Sequence, residues 1–506
     1  MSNSGVTLEA LNGRGPGGYR DVSRSNNVTY PETMEAAFPD EERVAEAKAK
    51  LVEAGVKYVM SCWIDLLGQP KTKPVPIGEF EAICYGKGPQ FAVHSVSMVP
   101  ELGPADSDQI PIPDLDSLVI CPWDRTCAWV FADLYWEDKP YNLCPRLALK
   151  RQVTQAAADG YWPMAGVEPE FITLRYVDGQ PVKAFDNDPI LPGGGLPKRQ
   201  AWGYDSEASI DSMGFLGRLI DILGELDWGL KDVVAEGAYS QFELDFGYTH
   251  ALEMADRLTF LRVLLKEVAK SQGMFVTFMP KPTLGDWRSG AHINFSLQSF
   301  DDRRNLFHAD GATGADGADG GGWDESVFHA LGGLLRHGGA LTAITCSTVN
   351  SYKGLVPKVP GFEGGVYTWA PTHMTYGSNN RSAMLRLPMN RFCIENRATD
   401  MCMNAYLSLA MTTGAAVKGI KEKLDPGPSI DKNLYKMTDA DFDAAGIQRL
   451  PRTLGEAIEI FDKDELAKEV LGEVMHNSFS LYKHDEWERY SVYISQWEVE
   501  EYLRFF

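Results

Sequence analysis

Three short stretches carry acidic residues at a spacing that could hold a cation. Side chains of a β-strand alternate between faces with period two. In Val167-Glu168-Pro169-Glu170-Phe171 this puts Glu168 and Glu170 on one face and apolar residues on the other. In Gln241-Phe242-Glu243-Leu244-Asp245-Phe246 it aligns Gln241, Glu243 and Asp245, and Glu236 stands seven residues ahead of Glu243. In Ala291-His292-Ile293-Asn294-Phe295-Ser296-Leu297 the polar set is His292, Asn294 and Ser296. Taken singly, each polar face could look at water, as in any half-exposed antiparallel sheet. Three such faces without Lys or Arg point to a shared site instead. Converging carboxylates raise one another's pKa unless a cation neutralises them. Glutamates with a single His suit Mg2+ or Mn2+, whereas zinc favours more His or Cys.

A fourth stretch is basic. Asn380-Arg381-Ser382-Ala383-Met384-Leu385-Arg386 places two arginines five apart, and Arg391-Phe392-Cys393-Ile394-Glu395-Asn396-Arg397 follows. Arginines beside a carboxylate–metal site suit phosphoryl transfer, because they grip phosphate and carboxylate oxygens bidentately. For any one of them an ordinary surface role stays open.

The elements that must position these residues fall into two parts. A helix over roughly 41–54 leads into a β-rich region, where Val56–Asp65 and Lys71–Ile77 flank Gly68 as a hairpin. Leu118–Trp123 and Cys127–Tyr135 form another hairpin around Asp124-Arg125-Thr126. Helical periodicity then runs over Cys144–Asp159, Ile210–Leu226, Leu252–Gln272, Ser326–Thr345 and Met401–Lys423. The intervening strands are Gly166–Leu174, Tyr239–Tyr248, Thr277–Pro280, Gly290–Gln298 and Ala383–Leu387. Residues 1–40 read as a flexible extension; Gly13–Gly18 lacks the strand and the Lys-Ser/Thr of a phosphate loop. Gly311–Gly322 reads as a surface loop without EF-hand spacing. The tail over about 455–506, with Trp487 and Trp497, reads as core packing.

The 506 residues suggest about two to four domains. With 48 Lys+Arg against 70 Asp+Glu, the net charge is −22, which argues against nucleic-acid and anionic-membrane partners. No run reaches the roughly 20 apolar residues of a membrane span, and the N-terminus has no signal-peptide pattern. The eight cysteines form no CxxC and read as reduced thiols of a cytoplasmic enzyme.

From about residue 42 onward the chain resembles glutamine synthetases and their relatives. The resemblance rests on Val-Glu168-Pro-Glu170-Phe, Glu236…Gln241-Phe-Glu243, Thr-Phe-Met-Pro-Lys281-Pro, Ser-Gly290-Ala-His292-Ile-Asn294-Phe-Ser296, Asn350-Ser-Tyr-Lys353, Asn380-Arg381-Ser and Glu395-Asn-Arg397, in that order. Thr-Trp369-Ala-Pro, Tyr-Gly-Ser-Asn-Asn-Arg381 and Ser-Gln-Trp497-Glu look most like the glutamate–methylamine ligase branch. It implies an α+β fold, with a β-grasp domain over 41–143 and a catalytic domain over 144–506 built on a curved antiparallel sheet with flanking helices. It also implies a dodecamer of two hexameric rings whose active sites are shared between neighbours. The implied chemistry has two steps: ATP phosphorylates the γ-carboxylate of L-glutamate, and an amine displaces the phosphate to give a γ-glutamyl amide. Carried over by position, Glu170, Glu236 and Glu243 would hold one Mg2+ or Mn2+, and Glu168, His292 and Glu395 the other. Asn294 and Ser296, with Arg386, would meet ATP; Arg381, Arg386 and Arg397 would stabilise phosphates and glutamate, beside Gly290.

Four departures bear on the amine. Where the family has a Phe-Asp-Gly-Ser-Ser loop whose Asp binds ammonium, this chain has Phe91-Ala92-Val93-His94-Ser95. An apolar wall at Ala92, with His94 beside it in the substrate pocket, suits an amine with a hydrocarbon body. The family's Asn-Gly before Ser-Gly-x-His is Trp287-Arg288, the Arg after Asn-Ser-Tyr-Lys is Gly354, and the first Arg of Arg-x-Glu-x-Arg is Cys393. Arg288 or Lys358 would then replace the charge missing at 354, and Trp287 is either a wall of the amine pocket or plain core. Glu363 is the candidate flap base that takes the amine's proton. An arylamine of the aniline type, neutral near pH 7, is the expected substrate, narrowly ahead of methylamine or ethylamine. Ammonia, and a catalytically silent homologue, are the other readings; the six intact metal positions oppose the last.

Overall fold

Gly68 turns the first hairpin with a φ of 78°, a left-handed conformation that a residue with a Cβ adopts only at a cost. A Cβ there would also lie 2.7 Å from the Cα of Asn404, so the hairpin tip is pressed against the large part of the molecule. A computed structural model describes residues 28–92, 96, 102–185, 203–283, 287–309, 322–358 and 367–506. His94, Glu363, Gly13–Gly18 and nearly all of Gly311–Gly322 lie outside them.

The small part is a helix on a six-stranded sheet. Asp40 caps the helix Glu41–Glu53 by accepting from the backbone N–H groups of Glu42 and Arg43, and Val44 and Leu51 are its buried face. Strands β1 (Tyr58–Ile64) and β2 (Pro70–Pro76) pair antiparallel as the expected hairpin. β3 (Ile110–Pro113), β4 (Val119–Ile120) and β6 (Lys139–Pro140) all pair with β5 (Cys127–Trp136), which runs parallel to β1. Along β5, Ala128 and Val130 pack under the helix, while Cys127, Trp129 and Phe131 enter the main core. One strand therefore serves two cores by alternation alone.

The large part is built on a ten-stranded sheet. Its spine is β7 (Tyr161–Val177), with β8 (Gln180–Lys183), β11 (Thr249–His250) and β12 (Phe275–Thr277) along its length. The path on one side runs through β10 (Gln241–Phe246) to β9 (Leu230–Ala235). On the other it runs through β13 (Ala291–Ser299), β17 (Ile394–Asn396) and β16 (Leu385–Leu387) to β15 (Tyr376–Ser378). All pairs are antiparallel except β15 with β16. A separate two-stranded ribbon joins β14 (His373–Met374) to β18 (Gln448–Arg449). The helices Pro145–Ala158, Ala251–Lys270 and Ala405–Glu422 pack on the sheet's apolar side, where Val167, Phe171, Phe242, Ile293 and Phe295 are buried. This α+β arrangement is the fold class read from the sequence.

Two expectations are corrected. The helix over Ser326–Thr345 is two helices, Glu325–Arg336 and Gly338–Thr345, which meet at His337. The Gly338-Gly339 pair admits close neighbours there: a Cβ on Gly339 would lie 2.8 Å from Ile460. Core packing holds for Trp487, which lies on Gly455, but Trp497 is 60% exposed, along with Val492, Ile494, Leu503 and Phe505. Among the described residues no helix is long and apolar enough to cross a membrane.

Charge ties the two parts together. Arg146 of the helix Pro145–Ala158 bonds Asp133 at 2.8 Å, Asp114 at 2.9 Å and Asp256 at 3.0 and 2.9 Å. Lys150 bonds Asp114 at 2.9 Å and also Asp133, and the Tyr406 hydroxyl donates to Asp256 at 2.6 Å. A cavity of about 490 Å³ borders this cluster, away from the strand carboxylates. The Arg146 side chain is 2% exposed, and removing it would leave Asp256 without its cation and Asp114 and Asp133 with Lys150 alone. Arg146→Gln is expected to cost about 3–5 kcal/mol in urea unfolding, far more than a surface substitution.

Candidate functional site

Register explains why the carboxylates meet. Across the sheet Glu243 stands opposite Glu170, His292 opposite Glu168, Asn294 opposite Glu395, and Arg386 opposite Glu395. Directly opposed side chains on one face lie about 4.5–5.5 Å apart at Cβ, so five strands present one polar patch. Gly290 leads into β13, and its missing side chain matters: a Cβ would sit 2.8 Å from Glu170 Oε1 and 3.1 Å from His292 Nε2.

Donor atoms converge within 4.8 Å in three sets: Glu168, His292 and Glu395; Glu170, Glu243 and His292; and Glu168, Glu243 and Asp245. The first set is the one expected for one metal. The expected grouping of Glu170 and Glu243 with Glu236 differs, because the ligand atoms of Glu170 and Glu243 meet His292 instead. Glu236 lies in the turn before β10, where Gly237 N–H reaches its Oε2 at 3.3 Å, and its charge acts on Glu170. Asp245, aligned with Glu243 on one strand face but placed in neither expected ligand set, joins the site.

Neutral and cationic groups hold the acids in place. Asn294 Nδ2 donates to Glu168 Oε1 at 2.8 Å, and His292 Nδ1 lies 3.3 Å from Glu168 Oε2. Gln241 Nε2 donates to Glu170 Oε2 at 2.9 Å. Glu395, fully buried, is bracketed by Arg386 and Arg397, each bonded to a different carboxylate oxygen. Ser296 is buried further along β13, opposite Met164. Arg381 is exposed and offers its carbonyl to Arg397 Nε at 3.1 Å.

Arg288 is not open to a ligand in this arrangement. Its side chain is 6% exposed, and its guanidinium donates to the Thr399 carbonyl at 2.8 Å and Asp400 at 3.2 Å. Its stem fills the space beside Gly354, where a Cβ would lie 2.5 Å from Arg288 Cβ. Lys358 is exposed, with Nζ 6.0 Å above the Tyr367 ring. The Trp287 ring lies on the backbone of Gly237, next to Glu236, leaving no room for a Cβ there. Ala92 is exposed on the small part, after Phe91, whose ring stacks on Trp63 at 3.9 Å. Arg391, part of the basic stretch expected beside the carboxylates, does reach them: its Nη2 lies 2.9 Å from Glu168 Oε1.

The electrostatics divide the patch. Burial and the charges of Glu170 and Glu168 push Glu243 up to about 11. Burial and Glu236 raise Glu170 to about 8, and burial and Glu168 raise Asp245 to about 7. Glu168 is the opposite case: burial opposes ionisation, but His292 and Arg391 outweigh it and hold the carboxyl at about 2. An oxygen-rich donor set with one imidazole, no thiolate ligand and mutual repulsion fits a hard divalent cation such as Mg2+ or Mn2+.

Residues 142–502 match the family model described as glutamine synthetase, catalytic domain. The chain belongs to the glutamine synthetase family. It is 36% identical over 466 residues to a glutamate–methylamine ligase of Methyloversatilis universalis, covering 91% of this chain and 99% of that one. It is 34% identical over 447 residues to a glutamine synthetase of Rhizobium leguminosarum bv. phaseoli, covering 88% and 96%. Among solved structures, a GmaS/ADP complex superimposes with a TM-score of 0.79 at 31% identity, over 90% of this chain and 99% of that one. Apo GmaS gives 0.77 at 30% identity with the same coverage. The protein is therefore an ATP-dependent carbon–nitrogen ligase acting on glutamate and an amine or ammonia.

The raised carboxyls set a pH dependence. Unfolded carboxyls titrate near about 4, so Glu243, Glu170 and Asp245 keep protons in the metal-free fold that the unfolded chain has released. A raised folded pKa gives stability that is complete below the unfolded value and is lost as pH climbs through the folded value. The Tm of chelated protein is expected to fall between about pH 6 and 9, with added Mg2+ or Mn2+ flattening the fall. Glu243→Gln is expected to raise the chelated Tm at pH 8 and to shrink the increment that Mn2+ adds, both read by calorimetry.

Proposed function

We propose that this enzyme couples the γ-carboxylate of L-glutamate to a small primary alkylamine of methylamine size. The observation that carries the reading is the near full-length likeness to a glutamate–methylamine ligase. Ala92, standing where a carboxylate would favour ammonium, agrees with it. The aniline-type expectation gives way here. Ala92 argues only for the loss of a charge, which a methyl group satisfies as well as a ring. In this reading the Trp287 indole, which packs on Gly237 beside Glu236, walls the amine pocket against an aryl group.

In this reading Glu168, His292 and Glu395 hold one divalent cation, and Glu170 and Glu243, with Glu236 or His292, hold a second. The cations supply charge neutralisation for the transferring phosphoryl group. A γ-carboxylate oxygen of glutamate attacks the γ-phosphorus of ATP and ADP leaves. The amine nitrogen then attacks the acyl carbon, phosphate departs, and Glu363 takes the amine's proton. Arg386 and Arg397 keep Glu395 ionised and fixed, and with Arg381 they face the negative charge of phosphate and substrate. Asn294 and Ser296 meet the nucleotide, and Gly290 leaves room for glutamate beside Glu170. Arg288 acts by holding Asp400, and through its carbonyl it accepts from Gln241 Nε2 at 3.2 Å, steadying that amide against Glu170. Ala92 and His94 complete a neighbouring subunit's amine pocket in a dodecamer of stacked hexameric rings, a mass that light scattering reads directly.

The test is glutamate-dependent ADP release across ammonium, methylamine, ethylamine and aniline. Methylamine is expected to exceed ammonium in kcat/KM by at least about tenfold, or ~1.4 kcal/mol. A maximum with aniline would restore the arylamine reading, and release with ammonium alone would assign glutamine synthesis. Ala92→Asp is expected to narrow the methylamine preference, and Trp287→Ala to admit bulkier amines.

A further inference from the structure

Three arginines surround Glu395, and they differ in one respect. The side chains of Arg386 and Arg397 are 9% and 5% exposed, whereas that of Arg391 is 32% exposed. Arg391 lies in the loop between β16 and β17, at the outer rim of the carboxylate patch. Its Nη2 lies 2.9 Å from Glu168 Oε1, 3.0 Å from Asn294 Oδ1 and 3.6 Å from Glu395 Oε2. Asn294 is thereby fixed in orientation, accepting from Arg391 and donating to Glu168. Arg391 Nε is buried and bonded to nothing among the described residues.

These contacts pass through a single nitrogen of a group with five N–H donors. Glu168 belongs to a set that converges as metal ligands. Once a divalent cation draws on Glu168, that carboxylate no longer offers Arg391 its full charge, and the guanidinium needs another anion. An incoming nucleotide supplies one: its phosphate oxygens arrive with the cation, and guanidinium matches them bidentately.

We propose that Arg391 is a nucleotide-binding residue: besides its contacts to Glu168 and Asn294, it grips a phosphate oxygen of the nucleotide–metal complex. The inference rests on the ligase reading above but names a contact that reading does not contain.

Titration calorimetry of wild type, Arg391→Gln and Arg391→Lys with Mg2+–ADP, with adenosine and with Mn2+ alone decides the matter. Arg391→Gln is expected to weaken Mg2+–ADP at least about tenfold, to leave adenosine within about twofold, and Arg391→Lys to recover part of the loss. Mg2+–ADP affinity unchanged in Arg391→Gln overturns the proposal. Equal weakening of ADP and adenosine, or a lowered Tm with unchanged ADP affinity, marks a merely structural residue and overturns it too. If Arg391→Gln does not fold, Arg391→Lys with full wild-type affinity for Mg2+–ADP overturns it, and weakened ADP with unchanged adenosine supports it. Wild type that binds no Mg2+–ADP defeats the ligase reading itself, an outcome distinct from the others.

Discussion

The structure depends on a repulsion. Glu168, Glu170, Glu243 and Asp245 share one face of one sheet, and antiparallel register leaves them no way to separate. A fold optimised for stability alone would not keep them there, since each buried like charge penalises its neighbours. The surrounding chain holds the acids against that penalty. Glu395 is clamped by two buried arginines, Glu168 by an imidazole, an amide and a third arginine, and Glu170 by Gln241. The apolar underside of the same strands is packed by three helices, so the sheet cannot bend away to relieve the strain.

The cations in this network divide by burial, and burial tracks their work. Arg386, Arg397 and Arg288 are committed to protein carboxylates and carbonyls. They act as fixed charges, with no reorganisation to pay for when a substrate enters. Arg381 and Arg391 retain exposure. Small residues do the complementary job. Gly290 lets a carboxylate and an imidazole approach the backbone, Gly237 lets an indole lie flat, and Gly354 admits the stem of Arg288. That last pairing is a packing relation between two positions that no local pattern joins.

Much of the site was legible because strand periodicity is local information. Glu168 with Glu170, and His292 with Asn294, could be placed on common faces from spacing alone, and the motif order pointed to the family. What spacing lacks is register. Nothing in the sequence says that Glu243 faces Glu170, that His292 is shared between two donor sets, or that Asp245 falls within reach of Glu168. Arg391 could be read as one of a basic stretch, but its partners could not, because they lie 223 and 97 residues away. Arg288 could be read as a charge, but its direction follows from the room beside Gly354. The break at His337 followed from tight helix contacts rather than from periodicity, which runs through it.

The Arg146 cluster has a consequence for where this molecule can be cut. The family match begins at residue 142, immediately before the helix that carries Arg146 and Lys150. Two of the acids that balance them, Asp114 just after β3 and Asp133 in β5, come from the preceding small part. Liberating the catalytic half at that boundary would uncover the aromatic seam where Trp129 meets Phe260, strip Lys150 of both its acids and leave Arg146 with Asp256 alone. Similarity marks a unit of descent there, but it does not mark a unit that folds alone.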